Sequence, residues 1–143
     1  MEGILFFFIL FLAALLIFNK HIKWWVKSLI ALYYGIVTYT FSNGYKKIND
    51  DYDLYRSKNA YNPHDPAEVK ALENYWNLQT DFVDNFQGFF HFPVLILLFF
   101  SYYLWIKNGK NKTQKILISL SIIPIGLIYL WLTIMIGMLG YQP

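Results

Sequence analysis

No cysteine occurs anywhere in the 143 residues. A disulfide, a thiolate metal site, a thioether-linked haem and a cysteine nucleophile are therefore excluded. Charge is scarce as well. Asp, Glu, Lys and Arg make up 15% of the chain, against about 25% in ordinary soluble domains. There is no glycine-rich phosphate loop, no catalytic-triad order and no nucleotide-binding fingerprint. No basic face interleaved with aromatics exists either. The net charge of +3 comes from short lysine-bearing loops, so no nucleic-acid partner is expected.

What is present is apolar. Hydrophobic residues account for 57% of the chain and aromatics for 21%. A bilayer span needs about 20 apolar residues. Four stretches meet or approach that length: residues 3–18, 26–45, 85–106 and 116–140. Trp24, Trp25, Tyr102, Tyr103 and Trp105 cluster at their ends, where interfacial aromatics belong. The reading is an all-α membrane protein of one domain, residues 1–143, with four transmembrane helices and one outer amphipathic helix leading into the third. The first stretch is short enough for a signal peptide. However, Glu2 precedes it and Lys20, Lys23 and Lys27 follow it, the reverse of a signal peptide's charge order. A retained anchor is expected.

Orientation follows from the loops. Residues 19–27 hold three lysines and no acid; residues 107–115 hold four lysines and no acid. With four spans both loops face the same side, the cytoplasmic one of a plasma or inner membrane. Both termini and residues 46–84 then face outward. That outer segment carries five basic and eight acidic residues. Within it, Asn43-Gly44 predicts a turn after the second span. Residues 45–60 read as either a helical extension or a loop. Asn62-Pro63-His64-Asp65-Pro66 predicts a turn and then a helix, with Asp65 as N-cap, Pro66 at the first helical position and Glu68 at capping-box spacing. Val69, Leu72, Trp76 and Val83 lie near one face of that helix. Pro93 and Pro124 predict kinks or breaks in the last two spans. Asn111-Lys112-Thr113 matches a glycosylation sequon by chance, being on the cytoplasmic side.

Chemistry-bearing residues are few. His91 stands alone as an ionisable group inside an apolar stretch, tyrosines aside. Asp84, Gln87 and His91 recur at i, i+3 and i+7, with Glu73, Asn77 and Asp81 extending the same face outward. The stripe is either a ligand or metal site at the outer interface, with His91 and Asp84 as candidate metal ligands, or a polar face that meets water and a neighbouring helix. A second histidine for a metal would come from His64 or a partner chain. Gly137 and Gly140 lack the four-residue spacing of a helix-dimer motif. No cofactor is specified.

The run Asp84-Asn85-Phe86-Gln87-Gly88-Phe89-Phe90-His91-Phe92-Pro93-Val94-Leu95 resembles a signature of the MAPEG family, the membrane-associated proteins of eicosanoid and glutathione metabolism. Bacterial members often read Asn-Phe-x-Asn-Leu-Phe-Glu-hydrophobic-Pro-Val-Leu there. The resemblance covers Leu29 to Ile106, and Gly88 and His91 stand where the family carries Asn and Glu. It implies a four-helix bundle, usually trimeric, that binds glutathione between subunits, with Asn85, Gln87 and His91 at the ligand site. Three functions are thus in play. The one the residues favour is a non-catalytic accessory or structural subunit of a larger membrane complex. The others are a MAPEG-like glutathione-dependent membrane enzyme and a metal- or cofactor-binding membrane subunit. The expected partners are the lipid bilayer and other membrane subunits or further copies of the chain.

Overall fold

A computed structural model describes residues 2–59 and 64–141, with the side chain of Glu2 excepted. Four helices fill it: α1 (Glu2–Phe18), α2 (Trp24–Lys58), α3 (Pro66–Lys107) and α4 (Lys112–Gly137). No strand occurs among the described residues. Two of the helices, α3 and α4, are long and apolar enough to cross a membrane. α1 is apolar throughout but has 17 residues. α2 is long, but Tyr33, Tyr34, Thr38 and Thr40 dilute its apolar half.

The helix starts follow local chemistry. The Asp65 side chain accepts from Ala67 N at 2.9 Å, with Pro66 at the first helical position. Asn111, in the chance sequon, is the N-cap of α4 and accepts from Gln114 N at 2.8 Å. These bonds satisfy amides that have no partner inside the helix. His64 and Asp65 lie among the described residues; Asn62 and Pro63 of the predicted turn lie outside them.

The predicted turn at Asn43-Gly44 is not there. α2 runs on as helix to Lys58, which also settles residues 45–58 as a helical extension. Gly44 serves a different purpose: the Phe82 ring of α3 lies where a β-carbon would sit. Glycine lets α3 approach α2 closely. Phe82 also stacks on Phe41, and Phe41 meets Phe86 and Phe90 edge-on.

α1 and α3 each touch all the other helices, while α2 and α4 do not touch one another. The core is a mixed aliphatic and aromatic seam. α1 contributes Leu5, Phe8, Leu12, Leu15 and Leu16, mostly at spacings of three and four. Phe8 lies at its centre, against Tyr34, Phe90 and His91. Outside the seam, large apolar side chains are exposed on every helix. Phe6, Ile36, Phe92, Phe99, Leu117 and Ile123 are each more than half exposed.

Upward from this belt α2 and α3 continue as a paired arm. Tyr52 stacks on Tyr75 at 4.2 Å between ring centres. Gln79 is 1% exposed and donates to the Tyr45 hydroxyl at 2.7 Å, while Tyr75 donates to Asn49 Oδ1 at 2.7 Å. The predicted apolar face is only partly the buried one. Val83 is buried, whereas Val69 is 47% exposed. The inward positions include Gln79, which periodicity counts as polar. Its carboxamide is buried because it ties two helices together.

Candidate functional site

Pro93 lies inside α3 and carries no N–H, so the carbonyl of Phe89 loses its helical donor. Tyr33 takes the donor's place: its hydroxyl donates to Phe89 O at 3.0 Å. The next two carbonyls also receive hydroxyls. Tyr34 donates to Phe90 O at 2.9 Å and Tyr129 to His91 O at 3.2 Å. Two of these tyrosines come from α2 and one from α4. Of the kink or break expected at Pro93, the break does not occur: α3 is continuous from Pro66 to Lys107. α4 likewise runs through Pro124. A freed carbonyl in an apolar setting needs a new donor, and at Pro93 a neighbouring helix supplies one.

His91 lies beside this carbonyl ladder and is 9% exposed. Its ring sits between Phe8 and Tyr129, both edge-on, with centroids 6.0 and 5.9 Å away. Nδ1 lies 3.2 Å from the Thr133 hydroxyl oxygen, and that hydroxyl has the Tyr129 carbonyl 2.9 Å away as an acceptor. A hydroxyl has one proton to give. With that proton on Tyr129 O, Thr133 accepts from His91 Nδ1–H, and Nε2 of the neutral ring carries a bare lone pair. Nε2 is buried and has no hydrogen-bond partner among the described residues.

His91 lines a cavity of about 250 Å³ with Gln87, Gly88, Phe92, Leu95, Tyr129 and Thr133. Gln87 is half-buried and lies against Gly137, where a β-carbon would come 2.5 Å from its amide nitrogen. Gly140 likewise receives the Thr80 backbone, and the Thr80 hydroxyl donates to Gly140 O at 2.6 Å. Both glycines therefore serve close α3–α4 packing without the four-residue motif. A second cavity, of about 150 Å³, continues along the same groove. Leu95 and Tyr129 line both; Leu98, Phe99, Tyr102, Ile122 and Gly126 complete the second.

Of the residues singled out from the sequence, Gln87 and His91 meet at one site. Asp84 and Asn85 are exposed and do not line the cavity. Among the described residues no group of three or more His, Cys, Asp or Glu side chains is placed to hold a metal ion. His64 is 27 residues before His91, about 40 Å along a helix axis. The members that periodicity missed are Tyr129 and Thr133. They were visible as the two polar residues, at i and i+4, of the otherwise apolar run from Ile122 to Gly137, in line with Gly126 and Gly137.

At the other end of the bundle a second polar contact is fully enclosed. Asn19, 0% exposed, donates to Ser101 Oγ at 2.8 Å and accepts from His21 N at 3.2 Å. Tyr102 and Ser121 pair at 2.9 Å between α3 and α4. Comparison with protein-family models, with curated proteins and with solved structures yields no match to this chain.

Proposed function

We propose that this chain crosses a bilayer four times and acts as a non-catalytic accessory subunit of a larger membrane complex. The observation that carries the reading is the use made of polar groups inside the apolar belt. Tyr33, Tyr34 and Tyr129 bond to α3 carbonyls, Asn19 to Ser101, and Tyr102 to Ser121. Each ties α3 to another part of the bundle. Such bonds brace a bundle against hydrocarbon and leave no charged path through it.

The exposed apolar side chains support the bilayer. A soluble monomer rarely leaves contiguous apolar patches beyond a few hundred Å², whereas here they are spread over all four helices. α1, about 25 Å long by helical rise, is somewhat short for a hydrocarbon layer of about 30 Å, a mismatch met by local thinning and by flanking lysines reaching outward. Lys20, Lys23 and Lys27 are placed for that role. Both lysine loops lie at the bundle end away from the α2–α3 arm, and loop charge places them in the cytoplasm. The arm then projects outward by about 20–30 Å. It is acidic and rich in tyrosine, a docking surface for a neighbouring subunit.

Extraction in a mild detergent followed by native sizing tests the proposal. The chain is expected to elute with other membrane subunits, and to lose them when Tyr52 and Tyr55 on the arm are changed to Ser. Elution as a stable homotrimer alone would overturn the accessory role. One observation favours a second reading, the MAPEG-like enzyme. Asn85 is exposed at the outer edge of the belt, where a subunit interface would use it. That reading requires glutathione-conjugating activity that disappears in Asn85→Ala.

A further inference from the structure

Acidic side chains are confined to one end of this molecule. Glu2 apart, every Asp and Glu lies between Asp50 and Asp84. The two lysine loops lie at the other end. Asp84 is 17 residues of α3 before Ser101, and Glu2 is 17 residues of α1 before Asn19, about 25 Å in each case. Among the described residues, no carboxylate side chain is placed to pair with the loop lysines.

The packed helices set the two loops at different depths. Phe8, Tyr34 and Phe90 meet at one level. Eleven residues further along α1 and α3 stand Asn19 and Ser101, hydrogen-bonded at 2.8 Å, and eleven residues back along α2 stands Lys23. The α1–α2 turn is therefore level with Ser101, and Asn19 and Ile22, both buried, hold it there. α3 continues six residues further, to Lys107. α4, whose Ser121 pairs with Tyr102, begins nine residues before that serine. The α3–α4 loop thus stands about 9 Å beyond the α1–α2 turn, which forms a recessed shelf beside it.

Lys20 and Lys23 are exposed on this shelf, and Lys27 is half-buried. The Lys27 N–H donates to Lys23 O, so these two cations leave α2 one turn apart, an unfavourable pairing without an anion. Trp24, Trp25 and Tyr103 are exposed at the same depth, and such aromatics settle at the level of lipid headgroups. The shelf lysines are thereby placed where lipid phosphates lie, while those of the α3–α4 loop reach into water.

We propose that the shelf gathers anionic phospholipids in preference to zwitterionic ones, with the headgroup phosphate among Lys20, Lys23 and Lys27. A choline or ethanolamine head would bring its own cation against three lysines; a glycerol head would not. Free phosphate shares the anionic chemistry, but the depth of the shelf favours a phosphate carried by a lipid. This inference rests on the bilayer reading and not on the accessory role, because lipid contact is read on the isolated chain.

The test reconstitutes the purified full chain in phosphatidylcholine vesicles with a trace of spin-labelled phosphatidylglycerol or spin-labelled phosphatidylcholine. The motionally restricted fraction of each label gives its association with the protein. Phosphatidylglycerol is expected to associate about fivefold more strongly, the scale of one lysine near an anionic surface. Lys20→Gln, Lys23→Gln and Lys27→Gln together should abolish that preference, and the same three positions changed to Arg should keep it. Changing the four lysines of the α3–α4 loop to Gln should leave most of it. Inorganic phosphate should displace the label no better than chloride of equal ionic strength. Equal association of the two labels with the unaltered chain overturns the proposal. So does a preference that survives the triple Gln change, or one that inorganic phosphate alone removes, which would mark a site for the free ion. Carbonate washing separates the two readings. A chain stripped from the vesicles refutes the bilayer reading and the shelf with it; a retained chain with equal labels refutes the shelf alone.

Discussion

Removal of the Tyr33 hydroxyl should cost more than its exposure suggests, and Pro93 is the reason. Phe89 O faces the position of the missing Pro93 N–H, and its side-chain donor is Tyr33, at 3.0 Å. In Tyr33→Phe the carbonyl is left in an apolar surrounding without a donor. Side-chain hydrogen bonds between membrane helices average about 0.6 kcal/mol and reach about 1.7 kcal/mol, because the unfolded state usually finds other partners. A carbonyl that a proline has stripped of its helical donor belongs at the upper end, about 1.5 kcal/mol. In Pro93→Ala the restored N–H reaches Phe89 O by ordinary helical geometry, and the same Tyr33→Phe change should then cost less than about 0.5 kcal/mol. The coupling is therefore about 1 kcal/mol, beyond the additivity error of about 0.3–0.5 kcal/mol. Tyr34→Phe is the control, because Phe90 O keeps the Val94 N–H. The measurement is reversible unfolding in mixed micelles along an SDS titration, for the four combinations of positions 33 and 93. An equal cost of Tyr33→Phe with Pro93 retained and in the Pro93→Ala background would refute the reasoning.

Three further outcomes follow from other contacts. Gly44→Val should destabilise by about 1–3 kcal/mol through overpacking against Phe82, and Phe82→Ala in the same chain should recover part of that loss; unfolding midpoints check both. Asn19→Ala and Ser101→Ala should each cost about 0.6–1.7 kcal/mol, and the double change should cost scarcely more than either, as a double-mutant cycle would show. Tyr75 lies in the outer arm, and burial holds its phenol above the ordinary value, with Asp53 and Tyr52 adding to the effect against a hydrogen bond from Gln79. The unfolded phenol ionises near pH 10, so this contribution is whole below that pH and is lost as pH rises through the higher folded value. Unfolding midpoints across pH 8–11 should fall at the alkaline end, and Tyr75→Phe should flatten that fall.

Composition and periodicity determined a good deal about this protein. Long uncharged runs can only be buried or lipid-facing, so four helices joined in part by two short lysine loops could be read directly, though only α3 and α4 prove long and apolar enough to cross a membrane. Asp65 and Pro66 announced the start of α3 because capping is a local contact. The same local reasoning failed at Gly44, where a turn was expected, and of the kink or break expected at Pro93 and Pro124 the break did not follow. Glycine and proline act as breakers when nothing nearby compensates them. Here Phe82 occupies the space at Gly44, and Tyr33 supplies the donor lost at Pro93; both come from other helices. Gln79 is buried for a similar reason: its Nε2 donates to Tyr45 of α2, a contact that spacing along α3 does not show, while its Oε1 has no partner among the described residues.

The candidate site divides the same way. Helical spacing alone put Gln87 and His91 on one face of α3. Whether Asp84, on the same face, and Asn85 joined them was decided only by the packed structure, in which both are exposed and line no part of the cavity. Tyr129 and Thr133 are about forty residues away in sequence and enter only through that packing. Apolar runs by themselves settle which segments avoid water, because transfer free energy sums over each segment independently. Partners for buried polar atoms are settled only by the tertiary structure, because a hydrogen bond requires two groups within about 3 Å. His91 Nε2 is where the two levels meet: its burial was foreseeable from the run around it, and its missing donor shows only once all four helices are in place.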